Sequence, residues 1–282
     1  MRFLLFFIIS VSLFANKTYF YQMNNKEINN IIVKTSKKKN FLNKIVKYSW
    51  LFTKTPYKLN VLGEGKKKPL YSFKAVDCVT YIETVLALAN SNTLNNSISL
   101  LQKIRYKNGE IKYNERNHFM VTQWIPNNKK LGIIEDITKK ISNKTKKITK
   151  TLTLKNFKGK FKKFLSLQGD LPLGKHDILY IPLEYFLKNH KKMNIPSGAI
   201  MLIIRENNNY PIFTSHLGFI IKYNNELIFR SAVTNRKYKE VRDYKLISYL
   251  NFYKNYFAKK HWGIIGISLF MPKELKESNE NK

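Results

Sequence analysis

The sequence predicts an α+β domain in which a helix bearing the only cysteine packs on an antiparallel sheet. Three observations carry that expectation. From Asp77 to Asn90, the string DCVTYIETVLALAN sets Val79, Ile82, Val85, Leu86 and Ala89 along one helical face. The last third holds four short β-rich runs, AIMLII, SHLGFII, ELIFRSAV and WGIIGISLF, divided by Asn-rich or Gly-containing turns. The helix precedes a meander of strands, which is the order of an α+β fold rather than of alternating βαβ units.

The elements follow in chain order. Residues 1–15 place Arg2 before FLLFFIISVSLFA and then polar Asn16 and Lys17, the layout of a secretory signal peptide. The run is short for a bilayer span, but Leu13 is larger than the residue usual before a cleavage point, which leaves an uncleaved anchor as the alternative. No cysteine follows it to carry a lipid. Residues 16–54 read as a helical extension: Ile28, Ile31 and Ile32, then Phe41, Leu42, Ile45, Val46 and Tyr48 to Leu51, recur at helical spacing around the polar SKKKN. Pro56 ends it. A single larger domain, the one expected to carry any catalytic site, is read over 55–282. Within it, LGEGKKK is a loop, and Asp77 is a natural N-cap for the cysteine helix. RYKNGEIKY reads as a hairpin turning at Asn108-Gly109. Lys139 to Phe164 reads as a strand with a basic loop, and Leu183 to His190 as a short helix. No internal repeat is found.

Composition narrows the function. The formal charge is +33 over 282 residues. The lysines are scattered among Asn, Ile, Tyr and Phe, the mixture an AT-rich coding sequence yields, so nucleic acid is not the expected partner. A peripheral contact with an anionic envelope is the secondary expectation. One cysteine in an exported chain needs an explanation, because an oxidising compartment holds thiols mostly in pairs. No HExxH string or paired-cysteine spacing is present, so neither a metal nor any other cofactor is expected.

Position suggests a role for Cys78. At the start of a helix, unpaired N–H groups and the dipole favour negative charge, which should make its thiolate more accessible than that of a free cysteine. Of five histidines, His216 alone begins a clear strand, and Gly218 beside it lets another element approach closely. His176, His190 and His261 read as surface or core residues, and His118 is intermediate. A third group should orient the imidazole; the neighbouring strand offers Arg230 and Ser231, and only Ser231, or a backbone carbonyl, can accept a proton.

The strings TPY (55–57), LGEG (62–65), PLY (69–71), DCVTYIETVLALA from Asp77, RYKNGEIKY, RNHF (116–119), Trp124 and DIT (136–138) resemble the N-acetylmuramoyl-L-alanine amidase-like branch of the NlpC-type papain-like cell-wall hydrolases. The resemblance runs from about Thr55 to the C-terminus. It implies a papain-like core, Cys78 as nucleophile, His216 as base, and Tyr57 lining the cleft. It also implies a periplasmic enzyme acting on peptidoglycan or muropeptide fragments at the bond between the lactyl group and L-alanine. Arg116, His118 and Trp124 are then expected at sugar or peptide contacts, together with Glu64, Asp77 and Arg230. Relatives often carry a histidine in a His-Ala-Ser string on the strand after the base, where this chain has Arg230-Ser231-Ala232. The resemblance therefore does not carry the third catalytic position over, and Ser231, or a backbone carbonyl, stands as the candidate from the residues alone. A stem-peptide endopeptidase and a catalytically lapsed cationic envelope-binding protein remain as alternatives. The sequence does not give an oligomeric state.

Overall fold

The computed structural model of the chain describes residues 18–63, 70–206, 209–235, 237–258 and 263–275. The expected signal segment (residues 1–15), Glu64 and His261 lie outside these residues. Among those described, no helix is long and apolar enough to cross a membrane.

The architecture is α+β with an antiparallel sheet, as expected. Helices α1 (Asn25–Ser36) and α2 (Phe41–Leu51) form where the spacing placed them. Each starts on an asparagine: the Asn24 side chain accepts from Glu27 N–H, and that of Asn40 from Asn43 N–H. Both helices enter the same core as the rest of the chain through Ile28, Ile32, Ile45 and Tyr48. Helix α3 (Cys78–Ala89) is followed by α4 (Leu94–Arg105), capped by Thr93.

The expected hairpin at RYKNGEIKY does not form. Asn108 and Gly109 do turn the chain, both at positive φ, within a single 3-10 turn. The flanks meet only through one bridge, Tyr106 to Arg116. Arg105 and Tyr106 are buried by tertiary contacts of their own, so a ladder between the flanks gains nothing over them. A π-helical turn (Met120–Trp124) runs into α5 (Ile125–Lys130), then β1 (Ile134–Asp136) and α6 (Thr138–Ile141). The basic stretch resolves into β2 (Lys146–Leu152) and a 3-10 segment (Gly159–Asp170), whose Phe161, Phe164 and Leu167 join Phe119 and Phe157 in a small separate core.

The remaining elements are β3 (Gly174–Pro182), α7 (Leu183–Asn189), β4 (Ala199–Arg205), β5 (Thr214–Tyr223), β6 (Glu226–Thr234), β7 (Lys239–Lys245), α8 (Leu246–Ala258) and β8 (Ile264–Pro272). The four β-rich runs correspond to β4, β5, β6 and β8. The sheet order is β2-β3-β8-β4-β5-β6-β7, with β1 also pairing β8. β4 is buried at every position, because helices cover both faces of the sheet there. One face carries Leu217, Phe219 and Ala232 against α3, with the rings of Tyr81 and Phe219 meeting edge-on at 5.6 Å. The other carries Ile220 and Phe229 against α8. Packing α3 on β5 and β6 sets the start of that helix beside the start of β5.

Candidate active site

The site begins with a helix cap. Asp77 Oδ1 accepts from the N–H groups of Val79 (3.0 Å) and Thr80 (2.8 Å), while Thr80 Oγ1 accepts from Asp77 N–H. Asp77 Oδ2 also accepts from Asn60 N–H at 3.2 Å, which fixes the preceding loop to the helix start. Cys78 is therefore held as the first helical residue, partly open to a cavity of about 250 Å³. His216, Arg116, His118 and Asp77 line the same cavity.

Ser231 fixes the state of the imidazole. Its Oγ donates to Leu217 O at 2.6 Å, which uses its only proton, so at 2.9 Å from His216 Nε2 it can only accept. His216 is then the Nε2–H tautomer, and its Nδ1 keeps a lone pair that no described residue takes. The ring is packed by Phe229 (5.8 Å) and Tyr249 (6.3 Å). No hydrogen bond joins Cys78 Sγ to the ring among the described residues; the N–H of Leu217, the residue after His216, acts on the sulfur instead, as do those of Cys78 and Val79.

The expectation of an accessible thiolate is not met. Burial, and then the Asp77 carboxylate, push the Cys78 thiol up to about 12, against the pull of the three N–H groups. The main physical reason is burial of the sulfur; the cap adds to it, because Asp77 sets its charge next to the thiol. Burial, followed by Arg205, draws His216 down to about 4. Thiol and imidazole both stand neutral near pH 7.

Three expected contacts are placed differently. Trp124 is buried away from the cavity wall, and its Nε1 donates to Glu83 Oε1 at 3.0 Å. Arg230 does not reach the cavity. It forms a two-pronged ion pair with Asp243 (2.6 and 2.7 Å) and donates to Ser49 Oγ of α2, so it ties the sheet to the N-terminal helices. Its strand position points it to the α3 face, whereas Ser231 next to it faces His216. Tyr57 is not among the residues that line the cavity. Burial raises its phenol, with Cys78 and Asp77 as the next causes, which marks their proximity. His118 does line the cavity: its Nε2 lies 2.8 Å from Tyr113 O, and its ring packs on Tyr113 (4.7 Å) and Phe164 (5.0 Å).

A buried ionic cluster under the site escaped the sequence reading. Glu83, fully buried on α3, accepts from Arg105 Nη1 at 2.7 Å, Arg116 Nη1 at 3.3 Å and Trp124 Nε1. The cluster ties the cysteine helix to the end of α4 and to the cavity wall. One signal existed: a glutamate amid the apolar residues of CVTYIETVLALA demands a buried partner.

The family model described as N-acetylmuramoyl-L-alanine amidase-like matches residues 47–256. Among solved structures, a Legionella pneumophila protein is 29% identical with a TM-score of 0.72, over 89% of this chain and 96% of that one. An N-acetylmuramoyl-L-alanine amidase from Bacteroides uniformis is 21% identical with a TM-score of 0.64, over 83% and 99%. The latter likeness is one of fold. No curated protein matches.

Proposed function

Because the chain belongs to the N-acetylmuramoyl-L-alanine amidase-like family, we propose that it is a peptidoglycan hydrolase cutting the amide between the lactyl group of N-acetylmuramic acid and L-alanine, with Cys78 as nucleophile. The observation that carries this reading is one cavity holding a helix-start thiol and an imidazole whose Nδ1 is an uncommitted base. We read the core as papain-like on the same grounds, and the leader as an export signal to the periplasm.

In the proposed mechanism, Cys78 Sγ attacks the lactyl carbonyl carbon as His216 Nδ1 accepts the thiol proton. Transfer accompanies attack rather than preceding it, since the free site holds both groups neutral. Substrate brings thiol and ring into reach, as catalytic hydrogen bonds tighten in the bound complex. The oxyanion turns toward the backbone N–H of Cys78 at the helix start, which acts on the sulfur in the free site. The imidazolium then gives its proton to the leaving amine, the C–N bond breaks, and a thioester remains. Water, deprotonated by Nδ1, hydrolyses the thioester and restores the thiol. Ser231 holds the ring throughout by accepting from Nε2–H.

Digestion of defined muropeptides tests the reading by mass spectrometry. Free sugar plus an intact stem peptide is the expected product, and Cys78→Ala should abolish it. A sugar still carrying L-alanine and D-glutamate would identify a stem-peptide endopeptidase instead, and activity surviving in Cys78→Ala would reject the thiol.

A further inference from the structure

We propose that Arg116 and Ser215 form a carboxylate-binding subsite beside Cys78, which selects substrates whose leaving peptide carries a free carboxylate. The proposal rests on the amidase reading for the identity of the substrate and on geometry for the subsite itself.

The Arg116 side chain is held through one nitrogen. Nη1 donates to Glu83 Oε1 (3.3 Å), Arg105 O (2.9 Å) and Asn117 O (3.2 Å). Nε and Nη2 have no hydrogen-bond partner among the described residues, although Arg116 is only 9% exposed and lines the cavity. A guanidinium is fully satisfied only when its five N–H groups are used. The Nε–Nη2 edge is a planar fork that fits the two oxygens of a carboxylate, a match that an ammonium or a neutral amide partner does not reproduce.

Ser215 supplies the second observation. Its Oγ is buried without a hydrogen-bond partner, and the residue lines the same cavity. The sheet register makes it the extra residue of a bulge, since Ile203 pairs with His216 and Ile204 with Thr214. Bulges re-aim side chains next to active sites, and an orphaned buried hydroxyl is costly unless a ligand completes it. The nearby anions do not fill the role. The Asp77 carboxylate is occupied by the N–H groups of Val79, Thr80 and Asn60. Glu83 is shared between Arg105 and Arg116, so one carboxylate faces two guanidiniums.

Isothermal titration calorimetry on the Cys78→Ala protein tests the subsite. The ligands are N-acetylmuramoyl-L-alanyl-D-glutamate and the same compound with the α-carboxylate converted to its primary amide. The carboxylate is expected to bind about 10- to 100-fold more tightly, the range of one charge-assisted contact. In the Cys78→Ala background, Arg116→Lys, which removes the fork, and Ser215→Ala should each move the ratio toward one, with thermal melts verifying the fold. Equal affinity for the two ligands, or affinity for neither, overturns the subsite. Cleavage of both by the unmodified protein at equal kcat/KM overturns it too and leaves the amidase reading standing. Carboxylate-selective binding without any cleavage supports the subsite and removes the amidase reading.

Discussion

Replacing Glu83 by glutamine isolates the ionic cluster under the cysteine helix. The amide is nearly isosteric, and its oxygen can still accept from Trp124 Nε1, now at 3.0 Å. What is lost is the negative charge between Arg105, at 2.7 Å, and Arg116, at 3.3 Å, in a place where the glutamate side chain has no exposure at all. Two buried guanidiniums then share no counter-charge, and breaking such a pair typically costs ~3–5 kcal/mol. For a domain of this size each kcal/mol is worth ~2–4 °C in Tm, so Glu83→Gln should melt ~6–20 °C below the parent protein. Differential scanning calorimetry reads this directly. Glu110→Gln is the internal control, because its pair with Lys112 lies on the surface and such pairs are worth ~1 kcal/mol or less. If the two variants melt together, the cluster is not the strut described here.

The other predictions concern the site. Ser231→Ala leaves Nε2–H without an acceptor, and kcat should fall ~10- to 100-fold with KM little changed, as expected when a general base loses its orientation. The activity profile follows from a base drawn down to about 4: neutral imidazole is the working form, so kcat/KM should rise with pH through about 4 and already be level at 6.5, the ordinary histidine value. An acid limb centred near 6.5 would show that the ring is not desolvated. Alkylation of Cys78 by iodoacetamide should be slow at pH 7 and still increasing beyond pH 9, because the thiol is pushed up to about 12. In Gly218→Ala, the new Cβ would come within 2.6 Å of Arg230 O and of the Phe229 ring. Backbone cannot yield as a side chain does, so a loss of ~1–3 kcal/mol in urea denaturation is expected.

Elements with strong local signals were legible in the sequence. Asp77 announced the start of α3, the SKKKN break separated α1 from α2, and alternating apolar runs marked β4, β5, β6 and β8. What escaped was decided by long-range contacts. The Asn108-Gly109 turn is real, but its flanks are claimed by the Glu83 cluster and the Tyr106 core instead of each other. In β7, KEVRDYK offers only one buried position and hence little pattern, although Asp243 there holds Arg230. At the site, the sequence brought Cys78, His216, Asp77, Arg116 and His118 to one cavity. It misplaced Arg230 and Trp124 because neighbouring strand positions face opposite ways and because an indole N–H can serve a buried carboxylate as readily as a ligand. The charge state of the thiol depended first on how deeply packing buries the sulfur and then on the Asp77 charge beside it, and that burial has no signature in residue order.

The last strand of the described residues, β8, lies inside the sheet, between β3 and β4. Until it docks, no strand ladder among the described residues joins the β2–β3 ribbon to the β4–β7 block, and β4 presents a bare edge that is apolar from Ala199 to Ile204. A nascent chain in which β8 has not docked therefore has not closed the sheet that carries His216 and Ser231. Such late, non-local closure slows folding and prolongs the adhesive intermediate, so demand for a holding chaperone should be greatest just before β8 emerges.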